Sequence, residues 1–494
     1  MTELRRYQMF IDGGWTDASN GSTLELINPT TEEIWALVPD ATADDVNRAV
    51  EAAQRAFDHG PWPRMTAADR GRCLRKLAAC IAPIADELAN VETTDTGKLL
   101  RETTWQANNV VGIYEYYAGL ADKIHGDVPP SGAGQAMSFV IREPVGVVAA
   151  IVPWNSQLHL AAYKIAPALA AGNTMVMKAS EDASGALLEF TRAVEAADLP
   201  KGVFNLVTGR GRPCGETLVG HPLVRRVSFT GGVETARKII PATANNIAKM
   251  SLELGGKSPV IVYADADLDS ATNGVIAGIF GASGQSCAAG SRLIAHKKIY
   301  DELLGRLAER AGQIRIGDPM NKDTDMGPLA TLKQRDRIED LMAKSVDQGA
   351  RVLTGGGRPP SMNKGLFFEP TIVECDHQDY PVVRQELFGP VLSALKFGDE
   401  DEAISLANDS DYAFAGGVFT GDIGRAMRTV RAVRAGRFWV NTYRVSSTGV
   451  PFGGFKYSGY GRESGIDAIR DYTETKGVII ETSGQPVADP FIMR

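Results

Sequence analysis

GVVAAIVPWNSQLHLAAYKIAPALAAGNTMVMK, residues 146–178, contains the repeating unit of this chain. GVVAAIV (146–152) is a short, continuous apolar run. It stops at Pro153, which has no N–H to give to a sheet ladder. The pattern then turns helical and ends at Gly172, and NTMVMK (173–178) is a second apolar run. Two strands that are apolar on both faces, joined by a helix-length crossover, predict parallel pairing between covering layers. Further runs repeat the theme at VFNLVT (203–208), VRRVSFT (224–230) and SPVIVY (258–263). Helical patterns occupy 44–57, 66–91 and 301–314, and a second set of strands is expected at 292–296, 367–374, 391–397 and 438–443. The expected fold class is therefore α/β with parallel sheets, with a boundary near residue 256 at the glycines of ELGGK. AMSFVIREP (136–144) alternates like a half-exposed strand and, with KGVIIE (476–481), could form an extended arm.

The bulk composition narrows the function. With 494 residues, 44% of them hydrophobic, the chain is long enough for two to four domains. Its net charge is −8, and its 52 basic and 60 acidic residues are dispersed. No basic stripe marks a nucleic-acid or anionic-membrane partner. The N-terminus MTELRRYQMFIDGGW lacks the apolar core of a signal peptide, and VGVVAAIVPW is too short to span a bilayer. Five scattered cysteines (Cys73, Cys80, Cys214, Cys287, Cys375) form no Cys-x-x-Cys pair, so neither a disulfide framework nor a metal site is expected. A reduced, cytoplasmic protein is the expectation.

One of these cysteines stands apart. GASGQSCAAGSR (281–292) places Cys287 among Gly, Ala and Ser, whereas a structural cysteine favours bulky apolar neighbours. Small neighbours leave the sulfur reachable. Asn155 follows a strand and precedes a helix, so it either caps that helix or donates to a developing oxyanion. Lys178 and Glu181, in MKASE, are surface charges or contacts to cofactor hydroxyls at a strand's carboxyl end. TGRGRPCG (208–215) and FTGG (229–232) are glycine-rich turns, and neither is the usual dinucleotide fingerprint. Glu253, beside Gly255 and Gly256, is a solvated carboxylate or a general base.

The order of these pieces resembles the NAD(P)-dependent aldehyde dehydrogenase superfamily, hydrolytic type. ELGGKSP, GQSC followed by Arg292, QELFGPV and PFGGFKYSGYGRE stand in the family's order, from about Phe10 to Lys476. Glu253 and Cys287 are separated by the usual family interval, 34 residues. The resemblance implies a Rossmann-like cofactor domain (1–122 and 144–255), an α/β catalytic domain (256–470) and a small β oligomerisation arm (123–143 and 471–494). Homodimers or homotetramers are implied too.

The resemblance also implies roles. Cys287 is the nucleophile, Asn155 and the Cys287 N–H hold the oxyanion, and Glu253 activates water. Glu463 stands at a position sometimes assigned to a proton relay with Lys178. Lys178 and Glu181 face the adenosine ribose, and Gly211 and Gly215 border the adenine side. Gly231 and Gly232 lie near the pyrophosphate. Glu386 is the nicotinamide-ribose ligand and Phe388 packs near the nicotinamide, with Trp154, Phe229 and Leu254 as further cofactor contacts. A carboxylate at 181 repels a 2′-phosphate, which favours NAD, with NADP as the alternative.

For the small-molecule aldehyde, Ser156, His159, Tyr163, Ser286, Ala288, Arg444, Ser446 and Phe452 are the expected pocket. It is more polar than a pocket for small aliphatic aldehydes, and a bulky or hydroxylated substrate is expected. A CoA-acylating semialdehyde dehydrogenase and a cysteine hydrolase are the rival readings. The first does not need Glu253, and the second needs a histidine beside the thiol.

Overall fold

The computed structural model describes residues 4–130, 136–487 and 489–492. It is α/β, with two large sheets. In the first, the parallel neighbours run Lys249–Glu253, Val224–Thr230, Val147–Ile151, Thr174–Lys178, Phe204–Val207. The chain therefore starts in the middle, winds outward to one side, then crosses to the other. That reversal opens a crevice beyond the carboxyl ends of its strands, where ligands bind in doubly wound sheets. Antiparallel Met9–Ile11 and Gly14–Thr16 cover one edge and Gly459–Tyr460 the other. This last pair falls in the segment expected to belong wholly with residues 256–470, so the chain returns to the first sheet late.

The second sheet orders Thr371–Glu374, Val391–Phe397, Arg292–His296, Pro259–Val262, Ala415–Phe419 and Arg437–Val440 in parallel, with Arg351–Thr354 antiparallel at one edge. The crossover helix Gln157–Ala170 is buried along its whole length except at His159. That explains why its sequence is apolar all round rather than striped.

Some elements differ from the sequence pattern. The continuous helix expected over 66–91 is broken: Ala67–Ile81 is followed by a tight turn at Ala82–Ile84 and a new helix at Ala85–Thr96. Pro83 cannot donate to the preceding turn and its ring crowds it. The strand expected over 367–374 shrinks to Thr371–Glu374, after Pro370, and that over 438–443 is Arg437–Val440, ending where Asn441 turns to φ 52°. The arm forms as expected, with Ala136–Pro144 antiparallel to Thr473–Glu481 as a separate two-stranded ribbon. Residues 131–135, 488 and 493–494 of the arm region lie outside the described residues.

Candidate active site

A cavity of about 640 Å³ lies between the two large sheets. Cys287, Asn155 and Glu253 all line it, from three different segments. Glycines make this convergence possible. A side chain at Gly256 would strike the Cys287 carbonyl, and one at Gly255 would strike the Glu386 carboxyl. A Cβ at Gly453 would stand 2.6 Å from Glu253 Oε1. The open backbone of ELGGK and PFGGF thus makes room for three functional groups.

Asn155 does not cap its helix. The cap position falls to Ser156, which makes no side-chain capping bond, and Asn155 Nδ2 instead donates to the Gln285 carbonyl at 3.0 Å. An amide nitrogen has two hydrogens, so one remains for a ligand. The Cys287 N–H makes no hydrogen bond among the described residues, which leaves a second free donor on a residue lining the same cavity. Burial, then the carboxyls of Glu253 and Glu386, push the Cys287 thiol well up, while the Ala288 N–H opposes that shift. Glu253 is 1% exposed, and neither carboxyl oxygen has a hydrogen-bond partner among the described residues. Burial and the nearby Glu463 carboxyl raise it well above the ordinary carboxylate range. A raised carboxyl of this kind is suited to taking a proton from water.

The expected relay partner of Glu463 is corrected. Glu463 pairs with Lys164, not Lys178. Both are buried, on the crossover helix and the C-terminal segment, where each charge needs the other. Lys178 lies elsewhere, its Nζ 3.0 Å from the Ala179 carbonyl and 3.8 Å from Glu181. The lysine stem is 3.6 Å from where a Gly215 Cβ would be, so Lys178, Glu181 and the Gly211–Gly215 turn form one cluster.

The same cavity continues past Leu254, Gly231 and Gly232 to the first turn of the helix Val233–Ala242. Gly231 lies over the Phe229 ring. Free N–H groups at such a helix start suit phosphate. Trp154 and Phe388 meet edge to face, with ring centroids 5.4 Å apart, forming an aromatic wall. Glu386 accepts the Gly256 N–H at 2.8 Å, and burial pushes it up to about 7.

On the other side of Cys287 the wall includes Ser156, His159, Ser286, Ala288, Arg444, Ser446 and Phe452, all expected. Tyr163 does not line the cavity, but its ring stands edge-on behind His159 at 4.8 Å. Burial, with the charges of Lys98 and Arg437, pushes His159 down to about 4, so it is neutral. No histidine hydrogen-bonds Cys287 among the described residues, which removes the geometric basis for a cysteine hydrolase. Sequence reasoning missed Lys98, Gln106, Arg437 and Trp439. The last three line the cavity, and Lys98 donates to Ser156 Oγ at 2.6 Å and to the Asn155 carbonyl. No local motif marks any of them.

A cysteine thiol, an amide with a free hydrogen and a buried, unpartnered carboxyl on one cavity, beside a doubly wound sheet whose crevice suits phosphate, fit an oxidoreductase of the nucleotide-binding α/β class. The family model described as the aldehyde dehydrogenase family matches residues 15–478. A (Z)-2-((N-methylformamido)methylene)-5-hydroxybutyrolactone dehydrogenase of Acinetobacter baylyi is 51% identical over 492 residues, 99% of this chain and 100% of that protein. A betaine aldehyde dehydrogenase of Bacillus subtilis is 41% identical over 96% of this chain and 97% of its own. The crystal structure of betaine aldehyde dehydrogenase from Staphylococcus aureus in complex with NAD+ superposes with a TM-score of 0.96 at 39% identity, covering 97% of this chain and 96% of that one. This chain belongs to the aldehyde dehydrogenase family and is an oxidoreductase acting on aldehydes. Among the described residues, no helix is long and apolar enough to cross a membrane and no acidic, His or Cys group could hold a metal ion.

Proposed function

We propose that this chain oxidises an aldehyde to its carboxylic acid with NAD, through a thioester at Cys287 that water then cleaves. The convergence of Cys287, Asn155 and Glu253 at one point of a cavity that leads on to a helix start carries the reading. The residues fit the dinucleotide: Lys178 and Glu181 for the adenosine ribose, the Gly231–Gly232 turn for pyrophosphate, and Glu386 with the Trp154–Phe388 wall for the nicotinamide side. Glu181 disfavours a 2′-phosphate, so NAD is the cofactor rather than NADP. Bound there, it supplies the hydride acceptor.

The remaining work belongs to the chain. The Cys287 sulfur, once deprotonated, attacks the aldehyde carbon, and the carbonyl oxygen takes the charge. Asn155 Nδ2–H and the Cys287 N–H stabilise that oxyanion without supplying a proton that would quench it. After oxidation, Glu253 takes a proton from water as the water attacks the thioester, and Cys287 leaves as thiolate. That step distinguishes this reading from CoA acylation. Gln106, Ser156, His159 and Ser446 give the cleft polar edges, which suit a hydroxylated or otherwise polar aldehyde over a small aliphatic one. The hydroxylactone in the name of the 51% relative fits the same reading. A 5-hydroxybutyrolactone is in general the ring-closed form of a 4-oxo acid, and opening uncovers an aldehyde. We place the enzyme in the cytoplasm, with its ribbon of Ala136–Pro144 and Thr473–Glu481 docking a second copy.

The test is an aldehyde panel with NAD and NADP, followed by reduced-cofactor absorbance. Wild type is expected to form acid without added CoA, and Cys287→Ala to form none. Asn155→Ala should lose about 3 kcal/mol of barrier stabilisation, roughly a hundredfold in kcat. Unchanged turnover in Cys287→Ala would overturn the mechanism.

A further inference from the structure

Arg437 stands at the end of a strand of the second sheet and lines the cavity. Its guanidinium lies over the rings of Trp439, at 5.4 Å, and Phe452, at 5.6 Å. It makes one hydrogen bond among the described residues, to the Val445 carbonyl at 3.2 Å, and no ion pair. A guanidinium has five N–H donors, so most of its capacity is unused.

The chain's structural arginines are treated differently. Arg292, fully buried, donates to the Lys257, Leu406 and Ala407 carbonyls and to Gln378. Arg226 lies 3.5 Å from the Asp471 carboxylate and over the Tyr472 ring. Arg437 is half-buried like a structural residue but lacks the partners of one. Burial costs a cation hydration that an anion can replace.

The surroundings indicate which anion. Arg444 lines the same part of the cavity and also forms no ion pair; its one hydrogen bond among the described residues is to the Ala277 carbonyl. Lys98 lies beneath Ser156. Glu102, the nearby carboxylate, accepts the Ala282 N–H at 2.9 Å through Oε1, has its buried Oε2 without a partner among the described residues, and pairs with neither arginine. The carboxylates Glu234 and Glu386 belong to the cofactor end, where Glu234 pairs with Arg237 and Glu386 with the Gly256 N–H. Past Cys287 the cations Arg437, Arg444 and Lys98 outnumber Glu102, and the aromatic-walled cleft is a poor host for a trimethylammonium group and a good one for a carboxylate.

We propose that Arg437 is the carboxylate-binding residue of the substrate cleft, and that the substrate is an aldehyde that also carries a carboxylate, a semialdehyde acid. The inference rests on the aldehyde-oxidising reading above and adds the charge of the substrate's far end. Planar guanidinium and planar carboxylate pair through two parallel hydrogen bonds, which orients the aldehyde as well as holding it. Arg437 is thus a specificity-determining residue, and the aldehyde chemistry remains with Cys287.

The experiment compares succinic semialdehyde, its methyl ester and betaine aldehyde, with NAD, in wild type, Arg437→Gln and Arg437→Lys. In wild type, kcat/KM should fall in that order. In Arg437→Gln the ratio of semialdehyde to ester should fall roughly 10- to 100-fold, mainly through KM, with Arg437→Lys between. A wild-type ratio of one or less, or a ratio unmoved in Arg437→Gln, overturns the proposal. Calorimetric titration of succinate, the product of that probe, reads Arg437 without turnover. Weaker binding in Arg437→Gln supports its role, and equal binding overturns it. If no aldehyde yields reduced cofactor in wild type, the oxidation reading fails, while the succinate titration still decides Arg437.

Discussion

Lys98 is 5% exposed and donates to the Asn155 carbonyl, to Ser156 Oγ and to Gln106 Oε1 at 3.1 Å. Burial pulls its ammonium down, and the carboxyls of Glu92 and Glu102 push it back up. By gripping the backbone of Asn155, it holds the amide proposed to face the oxyanion. Lys98→Met removes the ammonium donor from the Asn155 carbonyl and Gln106 Oε1, leaves Ser156 Oγ only the longer bond from Gln106 Nε2 at 3.4 Å, and lets that backbone shift. A fall in kcat of about tenfold or more is expected, since charge-assisted bonds contribute about 1.5–3 kcal/mol each. Initial rates at saturating aldehyde measure it, and an unchanged kcat would show that Asn155 is held by other means. In the sequence Lys98 sits in TTDTGKLL, where nothing distinguishes it from a surface lysine. Cys287, by contrast, was legible, because its neighbours are small for a reason that sequence alone can suggest.

At the scale of elements, Asp95 ties three helices together. It lies on the helix Ala85–Thr96, and its Oδ2 accepts from Gln157 at 2.9 Å and from the Gly185 N–H at 2.8 Å, the first residues of two further helices. Its other oxygen is buried without a partner among the described residues. Burial is the main cause that pushes its carboxyl from 3.8 to about 7, against the opposing bonds from Gln157 and Gly185. Between those values the folded chain keeps a proton that the unfolded chain has released. This group's stabilising contribution is therefore full below about 3.8 and is lost as pH rises through about 7. Asp95→Asn keeps an acceptor and cannot ionise. Its thermal midpoint relative to wild type should rise between about pH 4 and about pH 8. A constant difference across that range would show that Asp95 does not titrate with folding. The helix broken at Pro83 belongs to this scale too. Apolar periodicity runs on through 66–91, and only the weight given to one proline separates one helix from two.

For the molecule as a whole, the arm is the exposed feature. Ile479 is 77% exposed and Met137 51%, on a ribbon that is hydrogen-bonded to neither large sheet. A two-stranded ribbon is marginal alone, and unpaired edges invite pairing. Light scattering should find wild type as a dimer or tetramer, and Ile479→Asp with Ile480→Asp should shift it toward a smaller species. A monomeric wild type would overturn the assignment of this ribbon to oligomerisation.

By itself the sequence determined the α/β alternation, the parallel strands buried on both faces, the arm and the order of the catalytic motifs. These depend on local periodicity and on residue types that chemistry requires, and both are written along the chain. Only the tertiary structure decided that Asn155 faces Cys287's loop rather than capping a helix, that Glu463 pairs with Lys164 rather than Lys178, and that Tyr163 stands behind the wall. It alone revealed Lys98 and Arg437, which lie far from Cys287 in sequence yet meet its cleft. The physical reason is that a buried charge is defined by its partners, or by the lack of them, and those partners come from distant segments that only folding brings together.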